Sequence, residues 1–216
     1  MNSLRYTLLT DGSSDRALIP ILNWLLQQHL PDYAIQHAWA DLAKMSKPPS
    51  RKDLSARIEC ALRLYPCDLL FIHRDAESCE LEDRIKEIED DLGKMKNFDM
   101  PTIKVIPVRM TEAWLLFNED AIRTAASNPN GNVDLALPKL NYVENLPDPK
   151  IVLHETLKRA SQLSGRRLKN FKPHSYIHRI AQLIDDFSYL RALPAFCATE
   201  NELKNILDVW LTSQCL

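Results

Sequence analysis

Glycine, long apolar runs and zinc-type cysteine spacing are the features that this sequence has least of. The 216 residues include four glycines beside 13 prolines, which argues against an all-β protein rich in tight turns. No apolar run approaches the roughly 20 residues that cross a bilayer. The first residues lead into a strand pattern and lack the features of a signal peptide. We therefore expect a cytoplasmic protein without membrane association.

The cysteines exclude two further classes of protein. They are odd in number and form no Cys-x-x-Cys pair: Cys60, Cys67, Cys79, Cys197 and Cys215. We expect reduced thiols, so the sequence predicts neither a disulfide framework nor a structural zinc site. With 45% hydrophobic residues and a formal net charge of -2, the chain can bury a sizeable core.

Strand and helix patterns alternate through the first half of the chain. Strands are predicted from residue 6 onward and over residues 34–40, 67–73 and 102–108, with helices from residue 13 onward and over 53–65, 79–96 and 109–116. This alternation predicts an α/β fold, a mainly parallel four-stranded sheet flanked by helices. After that only helical patterns return, near residues 149–163, 174–187 and 200–211. We predict an α/β domain over residues 1–117 and a helical C-terminal extension over residues 118–216, packed on it.

Acidic residues follow three of the four predicted strands. Asp11 and Asp15 flank the turn after the first strand, and Glu112 follows the fourth. Asp75 and Glu77 follow the third strand, and residues two apart on an extended segment point the same way. Because the carboxyl ends of parallel strands meet at one edge, these side chains are predicted to share a site. Clustered carboxylates need a cation, and oxygen ligands suit Mg²⁺ or Mn²⁺.

Each acid taken alone also has an ordinary structural explanation. Asp11 and Asp15 are residue types that are favoured in turns and in the first turn of a helix. Asp75, Glu77 and Glu112 can likewise cap the helices that follow them. Their coincidence at the carboxyl ends of parallel strands favours a shared divalent-metal site over separate caps.

These motifs resemble the TOPRIM fold of topoisomerases, primases and OLD-type nucleases. The acid-Gly-x-x-acid turn from Asp11 to Asp15 is similar to the first motif of that fold, and Asp75-x-Glu77 to its acid-x-acid pair. Residues 111–116 resemble a smaller TOPRIM-like family of bacterial proteins, some of them associated with mobile-element or phage-defence gene sets. The resemblance covers residues 4–116 and, more weakly, residues 190–196. The sequence departs from the family pattern in having Asp instead of Glu at position 11, and Glu instead of Asp at position 77.

The resemblance implies an Mg²⁺-dependent (or Mn²⁺-dependent) nuclease that hydrolyses phosphodiesters, with DNA as the favoured substrate. By position it implies metal ligation by Asp75 and Glu77 together with Asp11. It implies catalytic roles for Asp11, Asp15 and Glu112. The metal would polarise the phosphate and stabilise the leaving oxygen.

A basic segment follows the α/β domain. Between residues 150 and 179 the sequence has eight Lys and Arg residues and one acid, Glu155. The predicted nucleic-acid contacts are Arg166, Arg167, Lys169 and Lys172, which would bind backbone phosphates. A solvated helical face is the alternative explanation. His73 is predicted either to contact phosphate or to be a buried histidine with one ring nitrogen hydrogen-bonded.

Two other functions stay open at this point. One is a non-catalytic or partner-activated TOPRIM-like module that works with an ATPase. The other is metal-dependent phosphate chemistry on a nucleotide or on RNA. A homo-oligomer is compatible with each of these functions.

Overall fold

Four parallel strands form the centre of the molecule. The computed structural model describes residues 2–12 and 14–214, with side chains to residue 212, so the predicted helix start at residue 13 and the thiol of Cys215 lie outside the described residues. The strands are β1 (Asn2–Leu9), β2 (Tyr33–Ala40), β3 (Leu69–His73) and β4 (Thr102–Val105), in the order β2-β1-β3-β4. The predicted α/β fold with a parallel four-stranded sheet is confirmed.

The helices of the first half connect successive strands, and those of the second half follow β4. They are α1 (Leu18–His29), α2 (Leu54–Leu64), α3 (Leu81–Gly93), α4 (Glu119–Ala125), α5 (Pro149–Ser161), α6 (Gly165–Asn170), α7 (Ile177–Gln182) and α8 (Pro194–Gln214). Short 3-10 segments include Ser14–Ala17 before α1 and Thr111–Leu115 after β4. The helix predicted over residues 109–116 is thus a 3-10 segment.

The sheet separates two hydrophobic cores. β3 is buried along its whole length because helices cover both of its faces. Leu69 and Phe71 belong to the core that contains α1 and the C-terminal helices, whereas Leu70 and Ile72 belong to the core that contains α2 and α3. Residues of the predicted α/β domain and of the predicted C-terminal extension therefore share the first core.

Helix α8 covers the edge of the sheet at β4. The Glu202 carboxylate accepts a hydrogen bond from the backbone N–H of Lys104 at 2.8 Å, and the Thr199 hydroxyl donates to the Lys104 carbonyl oxygen at 3.2 Å. These bonds occupy backbone groups that an edge strand otherwise leaves unpaired. The strand predicted over residues 102–108 ends at Val105, two residues before Pro107, which has no N–H to extend the ladder.

Within residues 2–12 and 14–214, no helix is both long and apolar enough to cross a membrane.

A substitution at Phe196 tests whether the C-terminal helices unfold together with the α/β domain. Its fully buried ring meets the Trp114 ring edge-on at a centroid distance of 5.3 Å. We expect Phe196→Ala to lower the free energy of unfolding by about 3–5 kcal/mol, because it leaves a cavity in the shared core. Urea unfolding followed by circular dichroism and tryptophan fluorescence measures this change, with Tyr189→Ala, whose side chain is 63% exposed, as the control. Two separate transitions would contradict a shared core.

Candidate metal centre

The candidate site lies where the direction of the sheet order reverses. The chain passes from β1 outward to β2, and then returns to β3 on the other side of β1. Ligands in open α/β sheets bind at the carboxyl ends of the strands beside such a reversal. Asp15 lies in the segment after β1, and His73 and Asp75 lie at the end of β3.

Three potential ligand atoms converge at this point. The Nε2 atom of His73 lies 3.6 Å from Oδ2 of Asp15 and 3.5 Å from Oδ1 of Asp75. The ligand atoms of the three residues all lie within 4.8 Å of one another. His73 and Asp15 are buried, and Asp75 is partly exposed. Atoms bound to one ion at about 2.1 Å are about 3.0–4.2 Å apart, so the distances from His73 to the two carboxyl groups fit a shared cation.

The second ring nitrogen of His73 determines what Nε2 can do. Nδ1 lies 2.9 Å from the carbonyl oxygen of Val105 in the neighbouring strand β4. A carbonyl oxygen only accepts, so Nδ1 carries the proton and donates it. In the neutral ring Nε2 therefore presents a lone pair to two carboxyl groups. This arrangement needs a proton or a metal ion between the three acceptors, and it is typical of metal-ligating histidines.

Asp15 is oriented by the turn that precedes it. The backbone N–H of Gly12 donates to Oδ2 of Asp15 at 2.7 Å, and the Ser14 hydroxyl lies 3.1 Å from Oδ1. A Cβ atom at Gly12 would lie 3.2 Å from the same Oδ2 atom. The close approach of the backbone to the carboxylate is thus the reason that glycine suits this position.

Asp75 is held by the 3-10 segment after β4. The backbone N–H of Thr111 donates to Oδ1 of Asp75 at 2.9 Å, and the Thr111 hydroxyl lies 3.3 Å from that oxygen and 3.4 Å from Nε2 of His73. Burial raises the pKa of Asp75, the charge of Asp15 raises it further, and His73 opposes both effects. Sequence analysis did not identify Thr111, although it is next to the predicted Glu112.

Glu112 is brought to the same edge. Its side chain is 4% exposed, and Nζ of Lys150 lies 3.9 Å from its Oε1 atom. Burial raises the pKa of Glu112, and the charges of Asp75 and Asp15 add to this increase, while Lys150 opposes it. Within the described part of the chain, Oε1 has no hydrogen-bond partner. Buried carboxyl groups with a raised pKa are candidates for proton transfer.

Asp11 has cationic partners of its own. Its carboxylate forms an ion pair with Nη1 of Arg57, and Nε of Arg74 lies 3.6 Å from its Oδ2 atom. The Arg57 side chain is 6% exposed and also donates to the carbonyl oxygen of Thr10 at 2.6 Å. The structure thus places Asp11 in an ion-pair network and outside the Asp15, His73 and Asp75 group.

Glu77 also lies outside that group. The predicted alignment with Asp75 assumed an extended backbone, but Glu77 has a φ of 55°, in the left-handed region, and its side chain is exposed. The assumption was wrong, because a residue in this conformation turns the chain and ends the strand-like alternation. Glu77 instead lines a neighbouring cleft together with Cys79 and Arg109.

The predicted nucleic-acid contacts lie on the helical surface next to the site. Arg166, Arg167, Lys169 and Lys172 are exposed, and none of their side chains has a hydrogen bond or ion pair within the described residues. The helices on either side of α6 pack against the site segments: α5 on Thr111–Leu115 and α7 on Ser14–Ala17. The charges of these four side chains are therefore free to meet an anionic ligand.

The comparisons with known proteins do not identify a family or a function for this chain. No family model, curated protein or solved structure matches this chain. The resemblance to TOPRIM proteins therefore remains an interpretation of the motifs.

Asp11→Asn tests the structural role of the ion pair. The change leaves the buried Arg57 guanidinium without a counter-charge, so we expect a loss of about 3 kcal/mol in the free energy of unfolding, the lower end for breaking a buried pair. Asp41→Asn is the matched control, since its partner Lys44 is 79% exposed. The control should lose less than about 1 kcal/mol in the same urea titration. Equal losses in the two variants would contradict this role.

Proposed function

We propose that this protein is a divalent-metal-dependent nuclease that hydrolyses phosphodiester bonds, with DNA as its favoured substrate. The observation that carries the proposal is the Nε2 atom of His73, which faces the carboxyl groups of Asp15 and Asp75 at the reversal of the sheet order. Its other ring nitrogen is already used by Val105. A buried set of acceptors in this position is better explained by a cation than by helix capping.

The donor set bears on the identity of the metal. Mg²⁺ prefers oxygen ligands, whereas an imidazole nitrogen suits transition metals such as Zn²⁺. Mn²⁺ is compatible with carboxylates and accepts a histidine as well. Of the two ions that the motifs suggested, we therefore place Mn²⁺ ahead of Mg²⁺, with Asp15, His73 and Asp75 as its ligands.

The remaining residues of the site supply protons and charge. A bound metal would act as a Lewis acid on a phosphoryl oxygen and neutralise its charge. Glu112, with its raised pKa, would transfer a proton during hydrolysis. Lys150 lies beside it and would attract the anionic phosphate. The exposed basic residues of α6 would hold the nucleic-acid backbone farther from the reacting bond.

A second candidate is the partner-activated module that works with an ATPase. It is favoured by one observation: within the described residues, a single group of side chains could hold a metal, and Asp11 is already paired with arginines. Nucleases that use two metal ions need two such sites. A module of this kind would bind the metal and cut nothing unaided.

Asp75→Asn and Glu77→Gln compare two ligands that the motifs predicted, one inside the Asp15, His73 and Asp75 group and one outside it. We expect Asp75→Asn to weaken Mn²⁺ binding by more than about 100-fold, beyond the 10- to 100-fold typical of an outer-shell change, and to abolish cleavage. Glu77→Gln should retain both properties. Calorimetric titration measures binding, and cleavage is assayed on plasmid, single-stranded DNA and RNA with Mn²⁺, Mg²⁺ or Zn²⁺.

Each other result of this experiment has a defined meaning. Metal binding without cutting would favour the partner-activated module, and cutting of RNA alone would favour the RNA function. If neither the wild type nor Glu77→Gln binds a divalent metal, the proposed metal centre is rejected. Unchanged binding and cleavage in Asp75→Asn would remove Asp75 from the mechanism.

The basic helix α6 is tested through the salt dependence of binding. Arg166→Ala, Arg167→Ala and Lys169→Ala together should weaken binding to DNA of any sequence and lower the slope of log affinity against log salt by about 2–3. Fluorescence anisotropy across a salt series measures the slope in the presence of EDTA. Removing three exposed lysines near α3 (Lys86, Lys94 and Lys96) is the charge-matched control. An equal effect in both variants would rule out a localised contact.

A further inference from the structure

A cavity of about 290 Å³ opens beside the metal centre, at the carboxyl ends of β1 and β2. Gly12 lines this cavity, and its N–H is the group that orients Asp15. β2 and β3 lie on either side of β1, so the two strand ends are about 10 Å apart. A ligand of a few nucleotides can therefore reach the cavity and the metal centre together.

Trp39 forms a fixed aromatic wall of the cavity. Its indole N–H donates to the Thr10 hydroxyl at 3.1 Å, and that hydroxyl donates to the Gly12 carbonyl oxygen at 3.0 Å. The ring is half-buried, because one part of it packs against the first hydrophobic core and another part lines the cavity. Pro48 and Pro49 add further apolar lining.

Basic and acidic residues line the cavity together. Arg57 is paired with Asp11, and Asp41 with Lys44, whereas the exposed Arg51 side chain has no ion pair in the described part of the chain. The Lys44 ammonium lies 5.6 Å from the centroid of the Trp39 ring, and Lys47 is exposed in the same loop. A hydrogen-bonded aromatic ring with an unpaired arginine at the same cavity is complementary to a flat heterocycle that carries phosphate.

We propose that this cavity binds one nucleobase of the substrate, stacked on Trp39, with the adjoining phosphate near Arg51. The proposal takes its substrate class from the proposed nuclease function and adds a base-binding subsite to it. Stacking of this kind tolerates any base, because every base has a π face. The subsite would thus position a strand without reading its sequence.

Binding in EDTA tests the subsite independently of cleavage. The probes are a fluorescently labelled dT8 and an abasic octamer with the same number of phosphates, measured by anisotropy. We expect the wild type to bind dT8 more tightly, and Trp39→Ala to weaken dT8 binding by about 5- to 150-fold while leaving the abasic octamer unaffected. Tyr189→Ala, which removes an exposed aromatic ring elsewhere, should change neither affinity.

A second measurement covers the case in which Trp39→Ala does not fold. dT8 should quench the tryptophan fluorescence of the wild type, and the conservative variant Trp39→Phe should lose most of this quenching while still binding. Competition by dTMP distinguishes a free nucleotide from a strand as the source of the base. Equal affinity of the wild type for both octamers, or unchanged quenching in Trp39→Phe, would overturn the proposal.

The two proposals fail in different ways. Base-dependent binding without metal-dependent cutting would retain the subsite and reject the nuclease. Cutting that is unaffected by Trp39→Ala, with equal binding of both octamers, would retain the nuclease and reject the subsite.

Discussion

The parallel pairing of β1 with β3 is the constraint on which both the fold and the candidate site depend. Leu9 at the end of β1 lies opposite Ile72, so the turn after β1 begins beside His73. Alternation along β3 sends Ile72 toward α2 and α3, and His73 toward the face that α1 covers. Asp15 leads into α1 on that face. The same pairing that builds the core thus brings a carboxyl group and an imidazole together.

The acids of this edge differ in how their charge is balanced. Asp11 is paired with the buried Arg57 and lies near the buried Arg74, which is also paired with Glu87. Asp15 and Asp75 instead face each other across His73, and neither has a Lys or Arg partner within the described residues. Buried carboxyl groups without a counter-charge are costly. This contrast is the physical reason for proposing a structural role for Asp11 and a metal for the other two.

Strand and helix patterns predicted the sheet because periodicity reflects burial along one segment. The site was predicted less completely, because it depends on contacts between segments. His73 was predicted either to contact phosphate or to be a buried histidine with one ring nitrogen hydrogen-bonded. It is buried and so bonded, but the nitrogen that stays free is determined by the Val105 carbonyl of another strand, which the sequence does not indicate. Asp11 was read as a ligand because Arg57, 46 residues away, is not visible as its partner in the sequence. For Glu77 the assumption of an extended backbone was wrong, because no local sequence pattern indicated its left-handed conformation.

Gly12 is the residue at which the metal centre and the proposed base subsite meet. Its N–H orients Asp15, while its carbonyl oxygen accepts from Thr10, which in turn accepts from the Trp39 indole. One turn therefore sets the direction of a ligand carboxylate on one side and of an aromatic ring on the other. A Cβ atom at position 12 would lie only 3.2 Å from Oδ2 of Asp15. In a chain with only four glycines, the need for one here follows from packing a strand end, a helix start and a carboxylate into a single turn.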